Sequence, residues 1–229
     1  ELGAALGEST FYGTGQPQRA SGFVPDGTAI RPEWADRAAR VISAADDLGL
    51  IVNLEVLYWG QYHLLDDTAA QFAAVATTAR WIRENGWTNV VLELSNESNN
   101  DNVHELYPVA KRAHPDLLVG TAMSPVNRFA FDPSWWDVAD FTFLHANGRT
   151  DEEIRGDIAA ARALTDAPLH INEDSHWRID QERFDMLNAL GVGNGYYDQE
   201  GYQSPPVDWS ITTRHQTAFF AKVTALGRR

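Results

Sequence analysis

The chain has 229 residues, 44% of them apolar, a formal net charge of −14 and no cysteine. That acidity repels a polyanion, so no nucleic acid is expected as a partner, and the missing cysteines exclude disulfides and thiolate metal sites. No run approaches the roughly 20 apolar residues that cross a bilayer, so no membrane partner is expected, and the apolar content suits one sizeable core across residues 1–229. The first residue is Glu1 rather than Met, with no basic and apolar leader pattern behind it, so localisation is not legible and an upstream segment is expected.

Residues 1–31 are turn-rich, with Gly13-Thr14-Gly15-Gln16-Pro17 and a Gly22–Gly27 stretch, and read as loop. From about Pro32 the pattern becomes regular. A helix carries Trp34, Ala38, Val41, Ile42, Ala45 and Leu48 on one face and stops at Gly49. A strand over 50–57 follows. Next come a helix over 69–85 with Phe72, Val75, Ala76, Ala79 and Ile82 inward, and a strand over 89–95. The alternation continues with a helix near 103–113, a strand over 117–121, a short helical piece at 134–138 and a strand over 141–145. A helix over 152–164, with Ile154, Ile158, Ala161 and Leu164 aligned, leads to a strand over 169–173. The chain ends with a helix near 181–190, a strand near 192–197 and a helix near 213–226.

Strands alternating with helices imply parallel pairing through right-handed crossovers. A doubly wound sheet would want a Gly-rich phosphate turn after an early strand, and no G-x-G-x-x-G occurs. The long polar and aromatic loops instead follow the strands' C-terminal ends, where a (β/α)8 TIM barrel builds its site. Six strands do not close eight, so the expected fold is an α/β barrel, incomplete at its start.

Two strand ends carry an Asn-Glu pair, Ser95-Asn96-Glu97-Ser98 and Ile171-Asn172-Glu173-Asp174. Each glutamate is the first acidic residue past an apolar run. By alternation Glu97 shares a face with Ser95 and Glu93, and Glu173 with Ile171 and Leu169. If those faces point to the barrel axis, the carboxylates meet over one opening. Glycoside hydrolysis needs two such groups, one to protonate the leaving oxygen and one to attack or to activate water.

The run Val90-Val91-Leu92-Glu93-Leu94-Ser95-Asn96-Glu97 resembles the strand-four signature of clan A glycoside hydrolases, especially the cellulase-like family 5, with Ser98 where that family usually has Pro. The resemblance implies that the visible strands are three to eight. It implies Glu97 as acid/base, Asn96 as a partner of the sugar 2-hydroxyl and Glu173 as nucleophile of a retaining double displacement. The sequence departs from the family at strand six, where His145-Ala146-Asn147 stands in place of His-x-Tyr. It departs again at strand eight, where Gly193-Asn194-Gly195-Tyr196-Tyr197 stands in place of a Trp.

Aromatic residues crowd the same end, and flat apolar rings with polar rims suit pyranose faces. Tyr58, Trp59, His145, Asn147, His176, Trp177 and Tyr197 are therefore the expected contacts of a carbohydrate substrate, and no cofactor is expected. Glu93 reads as a structural residue hydrogen-bonded beneath the site. His63, His104, His114, His170 and His215 read as structural or solvated. Two other readings stand beside the hydrolase. One is a carbohydrate-binding barrel without catalysis. The other is a metal-dependent barrel enzyme with Glu97, His145 and Glu173 as ligands, although H-x-H and HExxH spacings are absent.

Overall fold

Strands 119–123 and 141–144 are buried on both faces and strands 52–58 and 90–96 nearly so, which is what parallel pairing beneath a layer of helices requires. The computed structural model describes residues 21–58, 62–97, 102–123, 134–174, 181–195 and 210–226. Six strands form one sheet in sequential order: β1 (Val52–Tyr58), β2 (Val90–Asn96), β3 (Val119–Met123), β4 (Phe141–Leu144), β5 (Leu169–Ile171) and β6 (Gly193–Asn194). Every neighbouring pair is parallel. The helices are α1 (Pro32–Asp47), α2 (Thr68–Asn85), α3 (Val103–Ala113), α4 (Ser134–Val138), α5 (Asp151–Arg162), α6 (Gln181–Ala189) and α7 (Arg214–Leu226). This is the unit order of a (β/α) barrel, with six of its strands among the described residues.

Local chemistry explains the element ends. The α1 helix starts on Pro32, whose missing N–H costs nothing in the first turn. Asp67 caps α2 by accepting from Ala70 N–H at 2.8 Å, and Gly86 ends it in the left-handed conformation. Thr150 and Glu153 form a reciprocal capping box on α5. Two expected core positions of α1 prove solvent-facing: Val41 is 42% and Leu48 74% exposed, because the buried stripe narrows to Trp34, Ala38 and Ile42. Leu164, placed inward on α5, also lies at the surface, beyond the last helical turn.

The sheet has two different faces. Leu54, Leu92, Leu94, Val119, Met123, Leu144, Leu169 and Ile171 join α1, α2, α3 and α5 in the main core. On the opposite face Val91, Ala122, Phe141 and Phe143 pack together, and His170 meets Phe143 edge-on with ring centroids 5.5 Å apart. Glu55 and Glu93 are register partners on that inner face, both buried, and Asn53 Nδ2 donates to Glu93 Oε2 at 2.5 Å. Glu93 is thus a buried, hydrogen-bonded residue beneath the strand end, as expected. Gly193 is needed for space, since a Cβ there would lie 1.9 Å from His170 Nδ1.

Candidate active site

Parallel strands in register bring the end of each strand to one rim. Tyr58 pairs with Asn96, Asn96 with Ala122, and Met123 with Leu144. At this rim three ionisable side chains meet. His145, the residue after β4, is fully buried, and its backbone N–H donates to Met123 O at 3.0 Å. Its ring Nδ1 lies 2.7 Å from Glu97 Oε1 and 2.5 Å from Glu173 Oε2. One atom from each of the three residues lies within 4.8 Å of the others. The two expected glutamates are therefore brought together, with the histidine ring between them.

Glu97 follows Glu93 and Ser95 on the inner face, as alternation predicts, but Glu173 does not arrive by the alternation expected from the sequence. Leu169 and Ile171 belong to the helix-facing core, so a continued strand would turn Glu173 away from the barrel axis. Instead β5 stops at Ile171, and Glu173 reaches His145 from beyond the strand. Its carbonyl accepts from Ala146 N–H at 2.7 Å, tying it to the residue after His145. Glu97 lies beyond the end of β2 with a φ of 50°, and it is the non-glycine with positive φ among the described residues. The ladder between β2 and β3 shifts register between Glu93 and Asn96, and Glu97 N–H donates to Ala122 O at 3.2 Å. A side chain in the left-handed region costs about 1–2 kcal/mol, and such strain collects at functional sites.

The charge balance of the trio follows from this geometry. Burial by itself disfavours the imidazolium strongly, yet the contacts with Glu173 and Glu97 outweigh it and raise His145 to about 10. At neutral pH the three groups thus hold one proton more than a neutral ring and two carboxylates would. In so short a contact that extra proton belongs to the coupled group rather than to any one of its members. The same three atoms are the set that could hold a divalent cation. As they stand, they contact one another directly at hydrogen-bonding distance.

A second polar set braces the rim. Arg183, in the first turn of α6, places Nη1 2.6 Å from Asp174 Oδ2 and Nε 2.7 Å from Asp151 Oδ1, and Nη2 donates to Arg149 O at 3.0 Å. Burial pulls the guanidinium pKa down, but the two carboxylates more than offset this and raise it. Arg149 in turn makes a bidentate pair with Asp157, Nε lying 3.2 Å from Oδ2 and Nη2 3.1 Å from Oδ1. Sequence reading missed this set. The signal it offered was Asp174 directly after Glu173, with an arginine entering the next helix.

The remaining expected residues divide. Tyr58 closes β1 at this rim, half-buried beside Asn96. Asn96 is itself buried at the end of β2, and Asn147 is half-buried in the turn that follows His145. Trp59, His176, Trp177 and Tyr197 lie outside the described residues. His170, expected to be structural or solvated, is half-buried edge-on to Phe143, and desolvation lowers it to about 4, so it stays neutral.

No protein-family profile matches the chain, and no curated protein does. Solved structures do match by fold. One is a GH113 beta-1,4-mannanase, at 15% identity and a TM-score of 0.58, covering 83% of this chain and 79% of that one. Another is a psychrophilic glycoside hydrolase family 10 endo-beta-1,4-xylanase, at 14% identity and a TM-score of 0.59, covering 84% and 81%. A third is a beta-glucosidase, at 13% identity and a TM-score of 0.53, covering 92% of this chain and 75% of that one. The chain has the α/β-barrel fold of these TIM-barrel glycoside hydrolases, and among the described residues six parallel strands form part of such a barrel.

Proposed function

We propose that the chain is a retaining glycoside hydrolase acting on an oligo- or polysaccharide, with Glu173 as nucleophile and Glu97 as acid/base. The observation that carries this reading is the approach of the two carboxylates, one oxygen of each lying within 4.8 Å of the other. Retaining pairs stand about 5–5.5 Å apart, whereas inverting pairs leave about 6.5–9.5 Å for a water. The barrel neighbours support it, since a mannanase, a xylanase and a glucosidase share the fold.

In this mechanism a Glu173 oxygen attacks the anomeric carbon as the bond to the leaving oxygen breaks. The leaving oxygen takes the proton shared between Glu97 Oε1 and His145 Nδ1. Water then attacks the glycosyl-enzyme and gives its proton back to Glu97, and Glu173 leaves as a carboxylate. His145 is thus the holder of the proton that Glu97 donates, and the nearby negative charge of Glu173 helps to retain it. Asn96, Tyr58 and Asn147, with Trp59, His176, Trp177 and Tyr197, are the proposed sugar contacts.

Azide rescue tests the two roles. With a good leaving group, Glu97→Ala should still form the glycosyl-enzyme, and azide should release a glycosyl azide of retained configuration. Glu173→Ala should give no such product, and any azide adduct it yields should be inverted. Identical behaviour of the two variants would overturn the assignment. Treatment with a strong chelator should leave hydrolysis unchanged, and loss of activity restored by a divalent metal would favour the metal reading of the same trio.

A further inference from the structure

The sheet alone does not position Glu173. The β5 strand ends two residues earlier, and the next residue, Asp174, is buried. Arg183 grips Asp174 through Nη1 while Nε and Nη2 hold Asp151 and the carbonyl of Arg149. Arg149 lies in the connection from β4 to α5, the same connection that begins with His145, and Asp151 is the first residue of α5. That connection is itself fixed at both ends. Ala146 N–H donates to Glu173 O at 2.7 Å, and Arg149 N–H returns to Ala146 O at 2.9 Å. Beyond Arg149, Thr150 caps α5 through Glu153. One guanidinium therefore spans the two stretches of chain whose ends must meet for Glu173 to touch His145.

We infer that Arg183 is a positioning residue that sets the approach of Glu173 to His145 and Glu97, by joining Asp174 to the β4–α5 connection and the first residue of α5. This deepens the proposed hydrolase reading, and its consequence for turnover rests on that reading. Its consequence for His145 does not. A guanidinium suits the task because three nitrogens in one plane engage three acceptors at fixed angles. A lysine keeps the charge but offers a single flexible head, so it cannot hold Asp174, Asp151 and a carbonyl in one geometry.

The test uses the full chain and two variants, Arg183→Met and Arg183→Lys, each first shown to retain its near-UV circular dichroism. The direct readout is the imidazole titration of His145 by nitrogen-15 NMR. Removing a cation near His145 would, through charge alone, raise its midpoint. Loosening the contact with Glu173 would lower it, by roughly one pH unit or more, because an adjacent opposite charge is worth about 1–3 units. The two causes have opposite signs. A lowered midpoint in both variants supports positioning, and an unchanged or raised midpoint in folded protein overturns it. If Arg183→Met fails to fold, Arg183→Lys carries the test alone.

The second readout is the split between kcat and KM on an activated glycoside. Misplacement by about 1 Å costs up to about a hundredfold. Both variants should therefore lose tenfold or more in kcat with KM little changed, and Lys should not restore it. Wild-type kcat in Arg183→Lys would overturn the inference. If the wild-type protein hydrolyses no glycoside at all, the hydrolase reading fails, and the His145 titration still decides the role of Arg183.

Discussion

At the N-terminal ends of the strands, Asp140 accepts from Val119 N–H at 2.9 Å, from Lys111 Nζ at 3.0 Å and from the Tyr107 hydroxyl at 3.2 Å. At the C-terminal ends, one histidine ring stands between two carboxylates, and one of these hangs on a strained backbone. The first cluster balances one anion with one cation and a neutral phenol. Lys111 also reaches Leu117 O at 2.8 Å, so the set ties α3 to the entries of β3 and β4. The second cluster brings like charges together and needs an extra proton to persist. An arrangement that serves stability distributes its donors and acceptors as the first does. One that departs from this at the loop-bearing end of a barrel is a reason to look for chemistry there.

The largest effect that separates the two ends is on turnover. On the proposed assignment, Glu97→Gln should lower kcat/KM on a glycoside with a poor leaving group by about 10²–10⁴-fold, the usual worth of a general acid. Its urea midpoint should fall only modestly, since it loses only the charge of the contact with His145, and that loss is the smaller of its two effects. Asp140→Ala should do the reverse. It leaves Val119 N–H and Lys111 without their acceptor, at about 1–3 kcal/mol, while the folded fraction turns over normally. Urea unfolding and steady-state kinetics on both variants check this. A Glu97→Gln protein that is active but unstable would collapse the comparison.

A smaller effect is on the pH dependence of stability. The His145 pKa is raised from 6.5 in the unfolded chain to about 10 in the fold. Its contribution is therefore fully present below about 6.5 and is lost as pH rises through about 10. At the other end burial, then the charge of Asp140, pushes Tyr107 up to about 12, so that phenol stays neutral throughout this window. Wild-type protein should lose stability between pH 7 and 10, and His145→Asn should flatten that decline. Asp140→Ala should keep it. Urea midpoints across the range measure the slopes, and an unaltered slope in His145→Asn would contradict the trio's charge state.

The difference between the ends also governs what could be read from the sequence. Helix 103–113 and the short piece 134–138 are legible at their observed bounds, because helical patterning is local. The strands were placed within about two residues at most ends. Both glutamates that meet at His145 are legible in the sequence, because each is the first acid past an apolar run. The route of Glu173 was not legible, since alternation holds only while the strand lasts, and β5 is three residues long. His145 was singled out, but its bond to both carboxylates depends on the crossing of three separate loops. The Arg183 link spans 9 residues to Asp174 and 32 to Asp151, and no local pattern encodes such a pairing. For the same reason Lys111 and Asp140 passed unnoticed, although they lie 29 residues apart on successive units.

The smallest effect isolates the backbone of Glu97 from its charge. Glu97→Ala and Glu97→Gly both remove the carboxylate and its contact with His145, so they share that loss. They differ in what a φ of 50° costs. A Cβ in the left-handed region is penalised by about 1–2 kcal/mol, whereas glycine is not, and glycine's greater freedom in the unfolded chain takes back about 0.5–1 kcal/mol. Glu97→Gly should therefore be the more stable variant by a few tenths to about 1 kcal/mol, reversing the order found at ordinary helix and strand positions. Both should remain without acid catalysis, so the relief of strain brings no activity with it. Paired urea denaturation with equal m-values resolves a difference of this size. If Glu97→Ala is as stable as Glu97→Gly, the strand end carries no strain, and the contrast with the relaxed N-terminal cluster rests on charge alone.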